Sequence, residues 1–327
     1  MIEANQTPES RVTDEPVAGV IGRAQGTRAY LAAVLLAFAG IAFWSTNALA
    51  GSTALATLDL GVVLVLQFTS ATAALCLIAG VSALRRRRLH GTEAAALRGR
   101  DYAYGALVGF VGFCGTQTTQ YVGFAYAPIV ESNIIAYAWP MFAAVWMAIT
   151  ARSRHTVAGF LLSLVGFAGV GITTVAQHTG TSTGSTVGYI SALASALCMA
   201  YYTLAVARTR TSPIYVMLTG GACGIVVSAI MALALHTRWD PSVAWLAMAY
   251  VGVGPCAAGF LLWSAGMAKS RGRLAPLGYA TPVMSTCVLL IVGRSFGNPI
   301  AAVGAILVLL CTIGVLVNDR LSGAQQL

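Results

Sequence analysis

The chain has 327 residues, of which 57% are apolar or aromatic, 35 are Gly and only 9% are charged. A soluble domain carries about 25% charged and about 45–50% apolar residues, Gly included. With a mean hydropathy of +0.78, a soluble enzyme, a disordered chain and a coiled coil are excluded. The net charge of +9 could suggest nucleic acid, but so little sequence lies outside apolar stretches that no nucleic-acid partner is expected.

Residues 1–28 lack the apolar core of a signal peptide and read as a cytoplasmic N-terminal tail. Ten apolar stretches follow, at about 29–50, 60–83, 103–124, 129–151, 157–176, 187–207, 214–235, 243–267, 274–293 and 299–318. Each approaches the length of about 20 residues that crosses a bilayer as a helix. Barrel strands would alternate over about ten residues, so the expected fold is an all-α polytopic membrane protein with ten transmembrane helices. The Gly/Ser/Thr-rich segment 177–186 is an outside linker, and 319–327 is a cytoplasmic C-terminal tail.

The basic residues set the expected orientation. With the N-terminus inside, all 19 Lys and Arg except Arg238 and Arg294 fall on the cytoplasmic side. The largest group is Arg85–Arg88 with Arg98 and Arg100, after the second stretch. Cytoplasmic loops retain Lys and Arg because translocating them is disfavoured. Both termini are therefore expected in the cytoplasm.

Two segments repeat. Tyr137-Ala138-Trp139-Pro140 in the fourth stretch matches Tyr279-Ala280-Thr281-Pro282 in the ninth, and Arg152-Ser153 matches Arg294-Ser295 at the same offset. Trp44-Ser45-Thr46 has a counterpart at Tyr201-Tyr202-Thr203. The chain thus divides into five-helix halves, 29–176 and 187–318. Because five is odd, the halves run in opposite directions, the inverted repeat typical of secondary transporters.

The few polar and aromatic residues within the stretches are the candidate site. Pro140 and Pro282 each remove a backbone hydrogen bond, leaving the carbonyls of Ala136 and Gly278 without their helical donors. A kink that serves packing and a carbonyl offered to a substrate are both open readings. Thr116, Gln117 and Gln120 share one helix face, as do Asn133 and Tyr137. They either bond neighbouring helices or line a polar path. Tyr137, Trp139, Tyr201, Trp44, Trp263 and Tyr279 could wall a pocket. Glu131 is the one acidic residue inside a stretch, which marks it for function. At the start of its helix it also complements the helix dipole, so a gate contact and a proton-coupling role both stand.

Seven Cys are scattered singly and four His lie in loops or at span ends, so no metal site, disulfide or cofactor is expected. The spans hold no nucleophile–base pair, and the chain does not read as an enzyme.

Taken together, Trp44-Ser45-Thr46, Val130-Glu131, Tyr137-Ala138-Trp139-Pro140, Ala200-Tyr201, Leu218-Thr219-Gly220, Trp263 and Tyr279 with Thr281-Pro282-Val283 resemble the EamA-repeat proteins of the drug/metabolite transporter superfamily. The resemblance covers about residues 29–318. It implies a ten-helix basket around a central cavity, with the fifth and tenth spans at the periphery. It also implies export of a small molecule from the cytoplasm across the bacterial inner membrane. Trp44, Tyr137, Trp139, Tyr201, Trp263 and Tyr279 are the cavity residues it carries over. Two departures stand out. The Gly-Glu that often ends the fourth and ninth helices is Ala151-Arg152 and Gly293-Arg294 here. In addition, Thr116-Gln117 replaces the Tyr-Glu of the family's amino acid exporters. The expected cargo is an amino acid, aromatic or otherwise neutral. The alternative is another metabolite or drug, such as a nucleobase or a cationic dye. Proton coupling and oligomeric state stay open.

Overall fold

The computed structural model describes residues 15–89, 97–177, 184–281, 284 and 299–324. Pro282, Arg294 and most of the ninth stretch lie outside the described residues. Every regular element described is helical. The first half comprises α1 (Glu15–Trp44), α2 (Asn47–Leu55), α3 (Leu60–Leu89), α4 (Gly99–Val108), α5 (Thr116–Tyr126), α6 (Ile129–Ala136), α7 (Trp139–Ala151) and α8 (Arg154–Gln177). The second comprises α9 (Thr186–Val206), α10 (Pro213–Ala234), α11 (Ala244–Val251), α12 (Phe260–Ser270), the 3₁₀ turn Ala275–Tyr279 and α13 (Pro299–Ala324).

Among the described residues seven helical runs are long and apolar enough to cross a membrane: Ala29–Leu55, Leu60–Arg85, Glu131–Ala151, Arg154–Ile172, Thr186–Val206, Pro213–Ala234 and Ala244–Ser270. A shorter apolar run, Ile306–Asn318, lies in α13. The run 99–126 is continuous helix, but Thr116 to Gln120 dilute its apolarity. The protein is multi-pass. Its outer face supports this directly: Leu77, Leu233, Val243 and Leu246 are each more than 70% exposed. Water would penalise that surface and lipid does not.

The helices differ from the sequence reading at three ends. Helix α1 begins at Glu15, inside the segment read as a tail. Helix α3 runs on to Leu89 and takes in Arg85–Arg88. These arginines therefore end a helix instead of forming a loop; Arg is a good helix former and complements the negative end of the dipole. Helix α13 continues past the tenth stretch to Ala324.

Two spans are broken, one of them at the proline where the sequence reading places a kink. The first breaks at Ser45–Thr46, where the hydroxyls bond back to the carbonyls of Ala42 and Phe43 and compete with the helix ladder. The fourth breaks at Tyr137–Ala138, because Pro140 has no N–H to offer the Ala136 carbonyl. Two further spans each contain a π-helical segment, Gly109–Gly115 and Gly252–Gly259, whose starts are 143 residues apart. Each leads into an 11-residue helix, α5 and α12. The halves thus carry the same irregularity at matching places.

Small residues set the packing. A side chain at Gly109 would overlap the Val216 carbonyl of α10, and one at Gly40 would stand 2.8 Å from the Gly259 carbonyl. Without a hydrophobic drive between helices in lipid, such close approach supplies the association. Helices α8 and α13 pack together at one side of the bundle, with Gly169 against the Gly304 carbonyl. The second half is tied back to the first by buried aromatics, chiefly Trp263, Tyr202, Phe68 and Phe113.

Helix α10 ends in a Schellman turn. The Thr237 N–H bonds the Ala232 carbonyl, and His236 takes φ +49. An L-residue in that left-handed conformation costs about 1–2 kcal/mol, which Gly avoids. His236→Gly is therefore expected to raise the thermal unfolding midpoint in detergent by a few degrees. A lower midpoint would show that the imidazole makes a contact worth more than the strain.

Candidate functional site

A cavity opens where the broken and π-bearing spans meet, enclosing about 610 Å³ of empty space with its mouth included. It is lined by Trp44 and Asn47, by Thr116, Gln117 and Gln120 of α5, and by Asn133, Ala136, Tyr137 and Trp139 at the α6–α7 break. Ser195 and Met199 of α9, Pro255 and Phe260 on the eighth span, and Thr281 complete it. None of these side chains is charged.

Aromatic rings build one wall. The Trp44 ring centroid lies 5.1 Å from Phe260 and 5.2 Å from Trp263, and Trp139 meets Trp263 edge-on at 5.4 Å. Phe260 continues the stack to Phe113 at 5.1 Å and Tyr202 at 5.4 Å. The indole N–H groups are anchored. Trp44 Nε1 donates to the Pro255 carbonyl at 3.1 Å, and Trp263 Nε1 to Thr203 Oγ1 at 3.2 Å. The Trp139 benzo ring lies over Gly278, where a Cβ would overlap it. Gly278, expected at a kink, thus acts as the floor that admits Trp139.

Amides and hydroxyls build the other wall. The Gln117 and Gln67 side-chain N–H groups both reach the buried thiol of Cys256, the second at 3.1 Å. Ser195 Oγ donates to the Thr116 carbonyl at 3.1 Å, and Tyr121 donates to Asn47 Oδ1 at 3.0 Å. Thr116 Oγ1 and Thr281 Oγ1 are buried without a protein hydrogen-bond partner. Buried polar atoms are almost always paired, so two unsatisfied hydroxyls on one cavity mark where a solute or water completes the bonding. Ala136, whose carbonyl loses its helical donor to Pro140, also lines this space.

Seven residues singled out from sequence come together here: Trp44, Thr116, Gln117, Gln120, Asn133, Tyr137 and Trp139. Three stand elsewhere. Trp263 is fully buried behind Trp44 and Trp139. Tyr279 is also fully buried, wedged against Gly166 and near Cys311 between α8 and α13. Tyr201 lies off the α9 stripe Ser195–Met199–Tyr202 that faces inward, because neighbouring helical residues point about 100° apart. Glu131 does not line the cavity either. Its carboxylate accepts a hydrogen bond from Tyr189 of α9, whose hydroxyl in turn accepts from the Gly184 N–H. Pro140 is buried at the break, and Pro282 is outside the described residues.

Asn47, Ser195, Met199, Pro255, Phe260 and Thr281 were not among the residues singled out. Pro255, a mid-span proline like Pro140, carried the same signal. Thr281 sits in the repeated motif itself. Ser195, Met199 and Phe260 carry no signal short of the tertiary packing, being ordinary residues of apolar helices.

This architecture defines a class: multi-pass helical membrane proteins whose two related halves surround an aromatic-walled cavity with no charged side chain among the described lining residues. The chain belongs to the EamA-like transporter family, whose sequence pattern matches it twice, over residues 31–175 and 186–317. It is therefore a transporter and not an enzyme, and the double match reflects an internal repeat. It is 29% identical over 284 residues to the aromatic amino acid exporter YddG of Ancylobacter novellus, covering 84% of this chain and 94% of that protein. A solved crystal structure superposes with a TM-score of 0.71 at 25% identity, covering 88% of this chain and 98% of the other.

Proposed function

We propose that the protein exports neutral amino acids, aromatic ones included, from the cytoplasm across the bacterial inner membrane. In this reading the chain makes ten spans with both termini cytoplasmic, as two inverted five-helix repeats. The matching π segments and the repeated Tyr-x-x-Pro sequence support that symmetry. Two similar halves can exchange conformations at little net cost, which is the basis of alternating access.

The observation that carries the reading is the cavity's chemistry. An amino acid is a zwitterion with no net charge, and the described lining has no charged side chain to select a cation or an anion. Its ammonium finds acceptors in the Ala136 carbonyl and the side-chain oxygens of Gln117, Gln120 and Asn133. Its carboxylate finds donors in the same amides and in the Thr116 and Thr281 hydroxyls. Its side chain packs on Trp44, Tyr137, Trp139 and Phe260. Fixing a solute by a few polar groups within apolar walls is the usual design of small-molecule sites. A neutral nucleobase meets the same requirements, whereas a cationic dye finds no carboxylate on this lining.

Uptake into proteoliposomes tests the proposal, with labelled tryptophan, phenylalanine, leucine, lysine, glutamate and a nucleobase as the panel. Neutral amino acids are expected to move and the two charged ones to lag by about tenfold or more, since a buried unpaired charge costs several kcal/mol. Transport of the nucleobase alone would reject amino acids as cargo. Glu131→Gln is expected to leave substrate preference unchanged, because this carboxylate stands off the cavity. Loss of a stimulation by a proton gradient in that variant would make it the coupling group.

A further inference from the structure

The break in the first span puts a polar side chain at the edge of the central cavity. Helix α2 starts at Asn47, and Asn47 lines the cavity together with Trp44. Tyr121 decides which end of the Asn47 amide meets that space. It is fully buried in α5, and its hydroxyl donates to Asn47 Oδ1 at 3.0 Å. A buried hydroxyl that loses its acceptor is costly, so the oxygen end of the amide is held toward Tyr121. The other end is Nδ2, which has two N–H donors and no acceptor capacity. Nδ2 is the end left for the cavity.

We propose that Asn47 Nδ2 binds the α-carboxylate of the exported solute, with Tyr121 as the positioning residue behind it. This rests on the amino acid reading above and names the group that separates an amino acid from the corresponding amine. The first support is the orientation just described, which presents a donor only.

The second is an accounting of the other donors. Trp44 Nε1 is committed to the Pro255 carbonyl, and Ser195 Oγ to the Thr116 carbonyl. The Thr116 hydroxyl is not committed. It is on the cavity lining, its side chain is 5% exposed, and its oxygen has no protein partner. Asn47 Nδ2 and Thr116 Oγ1 together offer a donor to each carboxylate oxygen. Gln117, one helical turn before Tyr121 on α5, has the opposite polarity. Its nitrogen is turned to Cys256, which leaves its oxygen to accept from the ammonium. The two charges of an α-amino acid sit on one carbon, and these two amides meet them from neighbouring positions.

The third support is the start of α2 itself. The first N–H groups of a helix lack helical acceptors and carry the positive end of its dipole. In broken membrane helices such starts face the anionic group of a substrate. The unpartnered Thr116 hydroxyl shows independently that this lining awaits a hydrogen-bonding solute.

Uptake of labelled phenylalanine into proteoliposomes containing the full chain tests this, with phenethylamine, which lacks only the carboxylate, as competitor. The wild type is expected to be inhibited far less by phenethylamine than by unlabelled phenylalanine. Asn47→Asp keeps the shape and the Tyr121 bond but replaces the donor with an acceptor. It should raise KM for phenylalanine about tenfold or more and strengthen inhibition by phenethylamine. Asn47→Leu should raise KM similarly, leave inhibition by phenethylamine nearly unchanged, and serves even where Asn47→Asp does not fold. Tyr121→Phe should raise KM by a smaller factor and add nothing in the Asn47→Leu background; additive losses there would overturn its positioning role. Unchanged KM in both Asn47 variants overturns the proposal and leaves amino acid export standing. A parallel weakening of phenylalanine and phenethylamine also overturns it, because Asn47 would then only shape the cavity. Absence of amino acid uptake by the wild type would instead overturn the reading on which it rests.

Discussion

Gly278→Ala is expected to cut export of a neutral amino acid substantially while leaving membrane insertion intact. A methyl group at this position overlaps the Trp139 benzo ring, and that ring is held between Gly278 and Trp263. The overlap resolves either by pushing the indole into the cavity or by shifting the 3₁₀ turn. Overpacking of this kind costs about 1–3 kcal/mol, which corresponds to about 5–150-fold in any equilibrium that bears it. The double variant identifies which group bears the strain. Trp139→Phe removes the overlapping atoms, so in the Gly278→Ala background it should restore part of the lost rate, although Trp139→Phe alone lowers it. Initial rates in proteoliposomes, normalised to inserted protein, give the four corners of the cycle. Additive losses would show that the two residues act independently and that Gly278 serves something other than the Trp139 wall.

Gln117→Leu is expected to have the second large effect, concentrated in KM. Gln117 is 3% exposed and borders the cavity. Its replacement removes a donor and an acceptor from a site with few of either. Leaving a buried polar partner unsatisfied costs about 1–3 kcal/mol, so KM for a neutral amino acid should rise by about 5–150-fold. Gln67 still reaches Cys256 in this variant, so the three-helix polar cluster behind the cavity keeps one of its two amide contacts and the fold should survive. The contrasting variant is Gln67→Leu, which removes the other amide from the same thiol without touching the cavity. It should lower thermal stability and leave KM nearly unchanged. Equal KM effects from both variants would mean that Gln117 acts through the Cys256 cluster and does not meet the substrate.

Much of the cavity was legible because apolar spans leave few places for polar residues to hide. Thr116, Gln117, Gln120 and Asn133 stand out in such a background, and helical spacing puts the first three on one face. Pro140 and the Tyr137–Trp139 pair stand out through the repeat. Aromatic residues were less legible. Trp44 and Trp139 border the cavity, while Trp263 and Tyr279 are buried behind it or away from it, although all four look alike in sequence. An aromatic side chain serves a wall or a core equally well, and only its neighbours decide which. Glu131 shows the same limit: its position at a helix start was readable, but its partner Tyr189, 58 residues away, was not.

The sequence by itself determined the membrane setting, the helical class and the duplication. These follow from composition, from lengths matched to a bilayer and from a repeated motif, all of which are local or periodic properties of the chain. Pro140 marked one helix break, but only the tertiary structure decided the others and which residues share a space. The π segments have no distinct sequence period, and the break at Ser45–Thr46 depends on hydroxyls choosing backbone partners in the folded state. The cavity itself is formed by residues as far apart as Trp44 and Thr281. The uncharged character of its described lining is a property of their assembly, because long-range packing chooses which of many scattered polar groups are turned inward.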